Sequence, residues 1–218
     1  MTTAKELAPN LDVDEWVQGN PSNIDLERGR VVLIGTFQLN CPGCFLFSIP
    51  ELITLYEEFK ARDLVVWGLA TAFKDFHLNN LENLKILIEK GETVGESHRL
   101  LKIENRLSGN KLEYKIPFPI AFDKLIPNDK VITETIVRDY IERNYSQFEL
   151  LREVQKKLIR QQVEEYLKNK TYKALTFEKY NLRGTPSVIL IDKKGVLRKK
   201  WFGSGHSIKT EVAKLLTE

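Results

Sequence analysis

The sequence predicts an α/β fold in which helices cover both faces of a central β-sheet. Continuous apolar runs, rich in β-branched residues and typical of strands buried on both faces, occur at residues 31–37, 64–70, 118–122 and 187–192. Between several of these runs, apolar residues recur at spacings of three and four, as in amphipathic helices. Strands that alternate with helices in this way are typical of a sheet covered on both faces.

The first 30 residues are polar and turn-rich, and they predict a short N-terminal hairpin extension. The turn signal lies at residues 19–22, Gly-Asn-Pro-Ser. The residues that would supply the two strands are Leu11, Val13 and Trp16 before the turn, and Ile24 and Leu26 after it.

The strand at residues 31–37 leads through Cys41-Pro42-Gly43-Cys44 into a helical pattern. The apolar stripe of this helix comprises Ile49, Leu52, Ile53, Tyr56 and Phe59. Pro50 lies inside the pattern, so we expect it to kink the helix or to move its effective start. The strand at residues 64–70 follows, and residues 77–107 are predicted to be helical with a break near Gly91.

Residues 124–176 are interpreted as a helical insertion. The stretch 145–168 contains no Gly or Pro, so we expect one continuous helix there. Its apolar face is predicted to comprise Phe148, Leu151, Val154, Leu158 and Ile159, extended by Val163, Tyr166 and Leu167. We expect the insertion to be an extra layer that buries this face, and a lid, a partner-docking surface or a dimer interface is the alternative.

The chain is predicted to end in a strand pair and a helix. The strand at residues 187–192 runs through an Asp-Lys-Lys-Gly turn, residues 192–195, into a hairpin partner at residues 196–202. Ser207 is expected to cap the last helix, whose apolar residues are Ile208, Val212 and Leu215.

Length and composition predict a single globular domain, 1–218, with its core at about 8–123 and 176–218. The chain is 42% hydrophobic and 29% charged, and its net charge is only +3, so we expect neither disorder nor a nucleic-acid partner. No apolar run approaches the ~18 residues of a membrane span. The N-terminus has no apolar signal-peptide core, so we expect the protein to remain in a reducing cytosol.

The spacing of Cys41 and Cys44 predicts redox chemistry. A cysteine at the start of a helix lies near unpaired backbone N–H groups and the positive end of the helix dipole, which stabilise the reactive thiolate. Cys44 follows about one turn later, so its sulfur can reach Cys41 and resolve a mixed disulfide. Pro42 suits the first helical turn because no N–H donor is needed there.

A zinc site or a pair of inert thiols is the structural alternative for these cysteines. A structural zinc ion takes four ligands, and the sequence has no second Cys-x-x-Cys motif. The three histidines, His77, His98 and His206, are far apart in the sequence. The position of the motif between a strand and a helix favours redox chemistry, and we expect no metal or organic cofactor.

A second motif, Gly184-Thr185-Pro186-Ser187, directly precedes the last buried strand. Proline cannot donate a hydrogen bond to a β-ladder, so it marks the strand entrance or an exposed edge. A cis bond before Pro186 would leave polar main-chain groups free to pair with an extended peptide.

Together these motifs resemble the thioredoxin superfamily, and within it the TlpA-like branch of thiol-disulfide oxidoreductases. The resemblance rests on Trp16, the strand at 31–37, Cys-Pro-Gly-Cys at 41–44 with Pro50, and Gly-Thr-Pro-Ser at 184–187 before the strand at 188–192. It implies a thioredoxin-like fold with a central mixed β-sheet, and it leaves the insertion outside.

The resemblance also implies a disulfide reductase with named site residues. Cys41 would be the attacking thiol and Cys44 the resolving one. Pro186 would be cis and face the cysteines, and Thr185 would offer its backbone to the substrate. The remaining substrate-binding positions would be Asn40, Pro42 and Gly43. The partners would be a protein or small-molecule disulfide and a reductase or small thiol as electron donor.

Three positions depart from the family pattern. Gly35 stands where thioredoxins carry a buried acid, and Phe47 stands where other members carry a Glu. Neither usual proton acceptor for the resolving thiol is therefore present. Asn40 replaces the usual Trp before the first cysteine, so we expect a different substrate surface.

Two other functions remain open from the sequence. A peroxiredoxin-like peroxidase would need a Thr or Ser three residues before the reactive cysteine and a Pro seven before, but Gln38 and Ile34 stand there. A low-pKa thiolate still reacts with peroxide to some extent. Alternatively, the cysteine pair would be a switch in a redox-sensing or partner-binding module.

Overall fold

The computed structural model describes residues 6–129 and 131–218 and divides the chain into two compact units. Residues 1–125 and 174–218 belong to the first unit, and residues 126–173 form the second. The first five residues, which belong to the N-terminus without a predicted signal-peptide core, and position 130 of the predicted insertion lie outside the described residues. The assignment of a single domain stays a prediction.

A mixed six-stranded sheet, with strand order β1-β6-β3-β2-β9-β10, forms the centre of the first unit. Its strands are β1 (Val13–Gln18), β2 (Val31–Phe37), β3 (Leu64–Ala70), β6 (Ile120–Asp123), β9 (Ser187–Ile191) and β10 (Leu197–Phe202). β3 runs parallel to β2 and β6, and the other neighbours are antiparallel. The two predicted strands at 31–37 and 64–70 are confirmed residue for residue, because both are continuously buried.

Helices cover one face of this sheet, whereas the sequence predicts them on both. They are α1 (Ile49–Phe59), α2 (Leu81–Lys90), α3 (Gly95–Ile103) and α7 (Ile208–Thr217). The break at Gly91 is confirmed, since this residue ends α2 with a left-handed φ of 75°. Ser207 precedes α7, but its side chain makes no capping hydrogen bond.

The opposite face of the sheet is covered mainly by non-helical segments and short turns. Ala8, Leu11, Ile24 and Tyr180 pack there against β2, β3 and β9. The short helix α6 (Leu175–Lys179) ends just before Tyr180. The small strands β4 (Leu107–Ser108) and β5 (Lys111–Leu112) form a separate two-stranded ladder.

The predicted N-terminal hairpin is wrong. β1 pairs antiparallel with β6, about a hundred residues later, and Trp16 packs edge-on against Trp67 with ring centroids 5.4 Å apart. The second predicted strand is a 3-10 turn, Ile24–Glu27. Asn23 explains the difference, because its side chain exchanges hydrogen bonds with the backbone of Leu11 and also caps the turn.

The second unit contains two helices that pack against each other, α4 (Glu134–Asn144) and α5 (Glu153–Asn169). Its core comprises Val137, Ile141, Val163 and Leu167. The short strands β7 (Leu125–Pro127) and β8 (Tyr172–Ala174) pair with each other where the chain enters and leaves this segment.

The helix predicted over residues 145–168 is confirmed for residues 153–168 and wrong for residues 145–152. α4 ends before Tyr145, and α5 begins only after Arg152, whose backbone N–H donates to the Gln155 side chain at 3.2 Å. The predicted apolar face is also partly wrong, since Val154 and Leu158 are exposed. The break between α4 and α5 is stabilised by a capping hydrogen bond and contains neither Gly nor Pro, so the composition of the segment did not indicate it.

Within the described residues, none of the helices is both long enough and apolar enough to cross a membrane.

Candidate redox site

Cys41 and Cys44 lie in the connection between β2 and α1, and a disulfide joins them. Their Cα atoms are 5.4 Å apart, within the normal range for a disulfide. The Cys44 backbone N–H donates to the Cys41 carbonyl oxygen at 3.0 Å, and helical structure begins at Pro42. The predicted strand, motif and helix therefore follow one another as the sequence indicates.

Pro50 affects the helix entry in a specific way. The residues Cys44–Ser48 form a π-helical turn, in which the Ile49 N–H donates to the Cys44 carbonyl oxygen, and α1 continues from there. A proline in a helix removes one N–H donor and its ring crowds the carbonyl group four residues earlier. The wider π turn ends where Pro50 enters, which agrees with the expected change at the helix start.

The two cysteines differ in exposure. Cys44 is fully buried against the core, whereas Cys41 is only partly buried. Cys41 is therefore the more accessible of the two cysteines to a disulfide from solution. This asymmetry suits the predicted roles, with Cys41 as the attacking thiol and Cys44 as the resolving thiol.

The loop before β9 lies beside the cysteines. The Thr185–Pro186 bond is cis, the isomer that the family resemblance implies. The Cys41 Sγ atom lies 3.5 Å from the Thr185 carbonyl oxygen, and a Cβ built on Gly43 would lie 3.9 Å from Pro186 Cδ. Two motifs separated by about 140 residues thus meet at one site, so Thr185, Pro186 and Gly43 share one surface with Cys41.

Phe202 is a neighbour of this loop that the sequence did not indicate. Its ring lies so close to Gly184 that a Cβ there would come within 2.7 Å of Phe202 Cε2. The ring is 53% exposed at the end of β10, beside the start of β9. The sequence around Phe202 does not indicate that this residue lies beside the loop, because only the pairing of β10 with β9 places it there.

Asn40 holds the start of the motif in place through a hydrogen-bond network. Its backbone N–H donates to Asn79 Oδ1 at 2.9 Å, and its side-chain Nδ2 donates to Asp75 Oδ2 at 3.0 Å. Its Oδ1 accepts the backbone N–H of Glu96, at the start of α3, at 2.7 Å. Asp75, Asn79 and Glu96 are site neighbours that no motif in the sequence indicates, and direct contact of Asn40 with substrate stays a prediction.

The space under the motif explains why the buried acid is missing. A Cβ built on Gly35 would collide with Leu52 Cδ1 of α1, so the leucine occupies the room that an acidic side chain would need. Phe47 is 58% exposed and offers no acceptor. The first carboxyl after Cys44 is Glu51, whose pKa is raised by burial and lowered in part by the charge of His206.

The described residues contain no cluster of three or more His, Cys, Asp or Glu side chains arranged to hold a metal ion.

The predicted site residues that lie together are the cysteine pair, its two intervening residues and the Thr185–Pro186 loop. Asn40 borders them through its backbone.

Comparison with protein-family models gives no match, and neither does comparison with curated protein sequences. Solved structures do match over nearly the whole chain. A thiol-disulfide isomerase from Corynebacterium glutamicum is 23% identical with a TM-score of 0.60, covering 99% of this chain and 98% of that one. A thioredoxin-like superfamily protein is 24% identical with a TM-score of 0.59, covering 98% and 97%.

A third solved structure is more distant. A candidate thiol:disulfide interchange protein DsbE from Chlorobium tepidum is 14% identical with a TM-score of 0.51, covering 97% of this chain and 96% of that one. At these identities the likeness concerns the fold. The mixed sheet, the cysteine pair after β2 and the cis proline before β9 agree with it, and the chain has the thioredoxin-like fold.

Proposed function

We propose that the protein is a thiol-disulfide oxidoreductase that reduces disulfides through Cys41 and Cys44. The observation that carries the proposal is the meeting of three features: the cysteine pair at the start of a helix, the exposure of Cys41 over Cys44, and the Thr185 carbonyl oxygen 3.5 Å from Cys41 Sγ. A structural thiol pair would not require an accessible first cysteine beside a polar main-chain edge.

The proposed reaction transfers two electrons and two protons. The Cys41 thiolate attacks one sulfur of the substrate disulfide, and the other substrate sulfur leaves as a thiolate that takes up a proton. Cys44 then loses its proton and attacks Cys41 Sγ in the mixed disulfide, which releases the second substrate thiol. The protein is left with the Cys41–Cys44 disulfide, and an external dithiol or a reductase must reduce it again.

The proposed attack requires a thiolate at Cys41, which directly precedes the helical segment. Its sulfur lies at the N-terminal end of the helical segment, where the backbone dipole stabilises negative charge. We propose that the substrate lies across Pro42, Gly43, Thr185 and Pro186, with the Thr185 main chain available for hydrogen bonding. This arrangement would place a substrate disulfide beside Cys41.

The finer assignments are part of the same proposal. We propose a TlpA-like member that acts as a reductase, takes a protein or small-molecule disulfide, and needs no bound cofactor. A cytosolic location fits the reductive direction. DsbE is the name of one structural neighbour only, and measuring the reduction potential of this protein would separate a reductase from an oxidant.

Substitution of each cysteine tests the proposed roles. Cys44→Ser should retain the first step and accumulate a mixed disulfide with a model disulfide protein, whereas Cys41→Ser should form none. Non-reducing gel electrophoresis and mass spectrometry distinguish the two. Equal adduct formation by both variants, or adducts only through Cys44, would contradict the proposed order of attack.

Multiple-turnover reduction supplies the second half of this test. The unsubstituted protein with excess dithiothreitol should reduce the model disulfide faster than dithiothreitol alone, and either single substitution should remove the acceleration. If hydrogen peroxide is instead turned over rapidly while disulfides are not, a thiol peroxidase replaces the proposal.

A further inference from the structure

An open groove of about 810 Å³ runs along α3 in the first unit. Its apolar lining comes from Leu78, Val94 and Ile103. Three side chains that contain nitrogen also line the groove: His98, Arg99 and Lys102. None of the proposed catalytic residues lines it, so the groove is a feature beyond the cysteine site itself.

One end of the groove lies against Asn40, the residue before Cys41. Gly95 lines it, and a Cβ on Gly95 would collide with Asn40 Oδ1 and lie 2.9 Å from Leu78 Cδ1. The next residue, Glu96, donates its N–H to the same Asn40 oxygen. Asn40 directly precedes Cys41, and consecutive Cα atoms are about 3.8 Å apart. A ligand at the Gly95 end of the groove would therefore lie beside the residue that precedes Cys41.

Among the described residues, Lys102 is the groove-lining cation that is not already paired with a carboxylate. No carboxylate from the part of the chain that the structure describes lines the groove, and the nearby Glu96 is paired with Arg99 at 2.7 Å. Lys102 is exposed and makes no ion pair with the described part of the chain. His98 Nδ1 is within 3.2 Å of Thr93 Oγ1. Lys102 is therefore the cation with the most freedom to pair with an incoming carboxylate.

The dimensions suit a peptide segment. α3 has nine residues and is about 13 Å long, which is the span of about four residues of extended chain. Ile103, near the far end, is 57% exposed, so the apolar part of the lining is open to solvent. An extended segment with apolar side chains and a carboxylate would match both parts of the lining.

We propose that this groove binds an acidic, apolar segment of a substrate protein next to its disulfide. The inference rests on the proposed thiol-disulfide exchange and names a substrate class for it. The apolar side chains would cover Leu78, Val94 and Ile103, and a carboxylate would lie near Lys102. Charge complementarity of this kind raises the rate of productive encounter and weakens with salt.

Matched disulfide peptides test the proposal. Two peptides share length, disulfide and apolar residues, and carry either two Glu or two Lys residues beside the disulfide. A third substrate, bis(2-hydroxyethyl) disulfide, carries no charge. We expect kcat/KM to be about five- to tenfold higher for the Glu peptide than for the Lys peptide, and the difference should shrink in 0.5 M salt.

The variant Lys102→Glu should abolish or reverse this preference while leaving turnover of the uncharged disulfide within about twofold. Lys90→Glu is the matched control, since Lys90 is exposed on α2 and does not line the groove. It makes the same change in net charge, and the preference should survive it.

The outcomes separate the inference from the proposed function. Turnover of all three substrates without a charge preference, or an equal effect of both variants, overturns the groove assignment and leaves the exchange activity in place. No turnover of any substrate overturns both. Loss of preference in Lys102→Glu alone supports the groove.

Discussion

At the scale of single residues, Gly35 decides how the cysteine site is built. Its position in β2 faces α1, and the side chain of Leu52 fills the room beside it. The family resemblance alone indicated that an acid was missing, but the sequence could not reveal what occupies its place. The contact joins β2 to α1, so it exists only in the folded structure, where the helix packs on the sheet.

Gly35→Ala should destabilise the protein by about 1–3 kcal/mol, because the added methyl group overpacks the contact with Leu52. Urea unfolding measures the loss. The same substitution in a Leu52→Ala background should cost much less, although Leu52→Ala alone removes about 2–5 kcal/mol of packing. Equal costs in both backgrounds would show that Leu52 is not the obstacle.

Asn40 is the residue through which the motif is attached to the rest of the site. Asn40→Ala leaves the Glu96 N–H and the Asp75 carboxylate without this partner, so we expect a loss of about 1–3 kcal/mol in the free energy of unfolding. Asn110→Ala, at an exposed turn, is the control and should change it by less than about 0.5 kcal/mol. If both substitutions changed the free energy of unfolding by a similarly small amount, the structural role assigned to Asn40 would be wrong.

At the scale of elements, local patterns located the strands but not all of their partners. The runs at 31–37 and 64–70 were predicted correctly because burial on both faces demands continuous apolar sequence. The N-terminal hairpin was not, because β1 takes its hydrogen bonds from β6, which lies far along the chain. The break before α5 was missed because a side chain of Gln155 caps it.

Asp123 joins the end of β6 to the start of α6. Its carboxylate accepts hydrogen bonds from the backbone N–H groups of Thr176 and Phe177, and from Thr71 Oγ1, at 2.8–3.0 Å. Burial raises the pKa of Asp123 to about 6 from 3.8, and these hydrogen bonds offset only part of the effect. The folded protein therefore holds this proton more tightly than the unfolded chain does.

The sign of the pH dependence follows from this difference. Between about pH 4 and pH 6 the folded state binds more protons than the unfolded state, so Asp123 should lower the free energy of unfolding by about 3 kcal/mol as the pH rises through that range. Asp123→Asn should remove this part of the slope in urea titrations. Asp63→Asn, at an exposed position, is the control and should leave the slope in place. If Asp123→Asn also left the dependence of the unfolding free energy on pH unchanged, the assignment of this slope to Asp123 would be wrong.

At the scale of the whole molecule, the sheet order brings the two motifs together. β2 and β9 are antiparallel neighbours in the sheet. The segment after β2 and the loop before β9 therefore lie at the same end of these strands. The cysteine spacing and the Thr-Pro motif were readable in the sequence, and their meeting was implied by the family resemblance. The partners of Asn40 were not readable, since Asp75, Asn79 and Glu96 follow it by 35 residues or more.

The central claim is that Cys41 and Cys44 form a reversible two-electron couple in one chain. A redox titration against glutathione or dithiothreitol buffers, read by thiol alkylation and mass spectrometry, tests it most directly. We predict a single two-electron transition near about −270 mV or below, as expected for a reductase, whereas a value near about −120 mV would make the protein an oxidant. If no intramolecular disulfide forms at any poise, the account of this site is wrong.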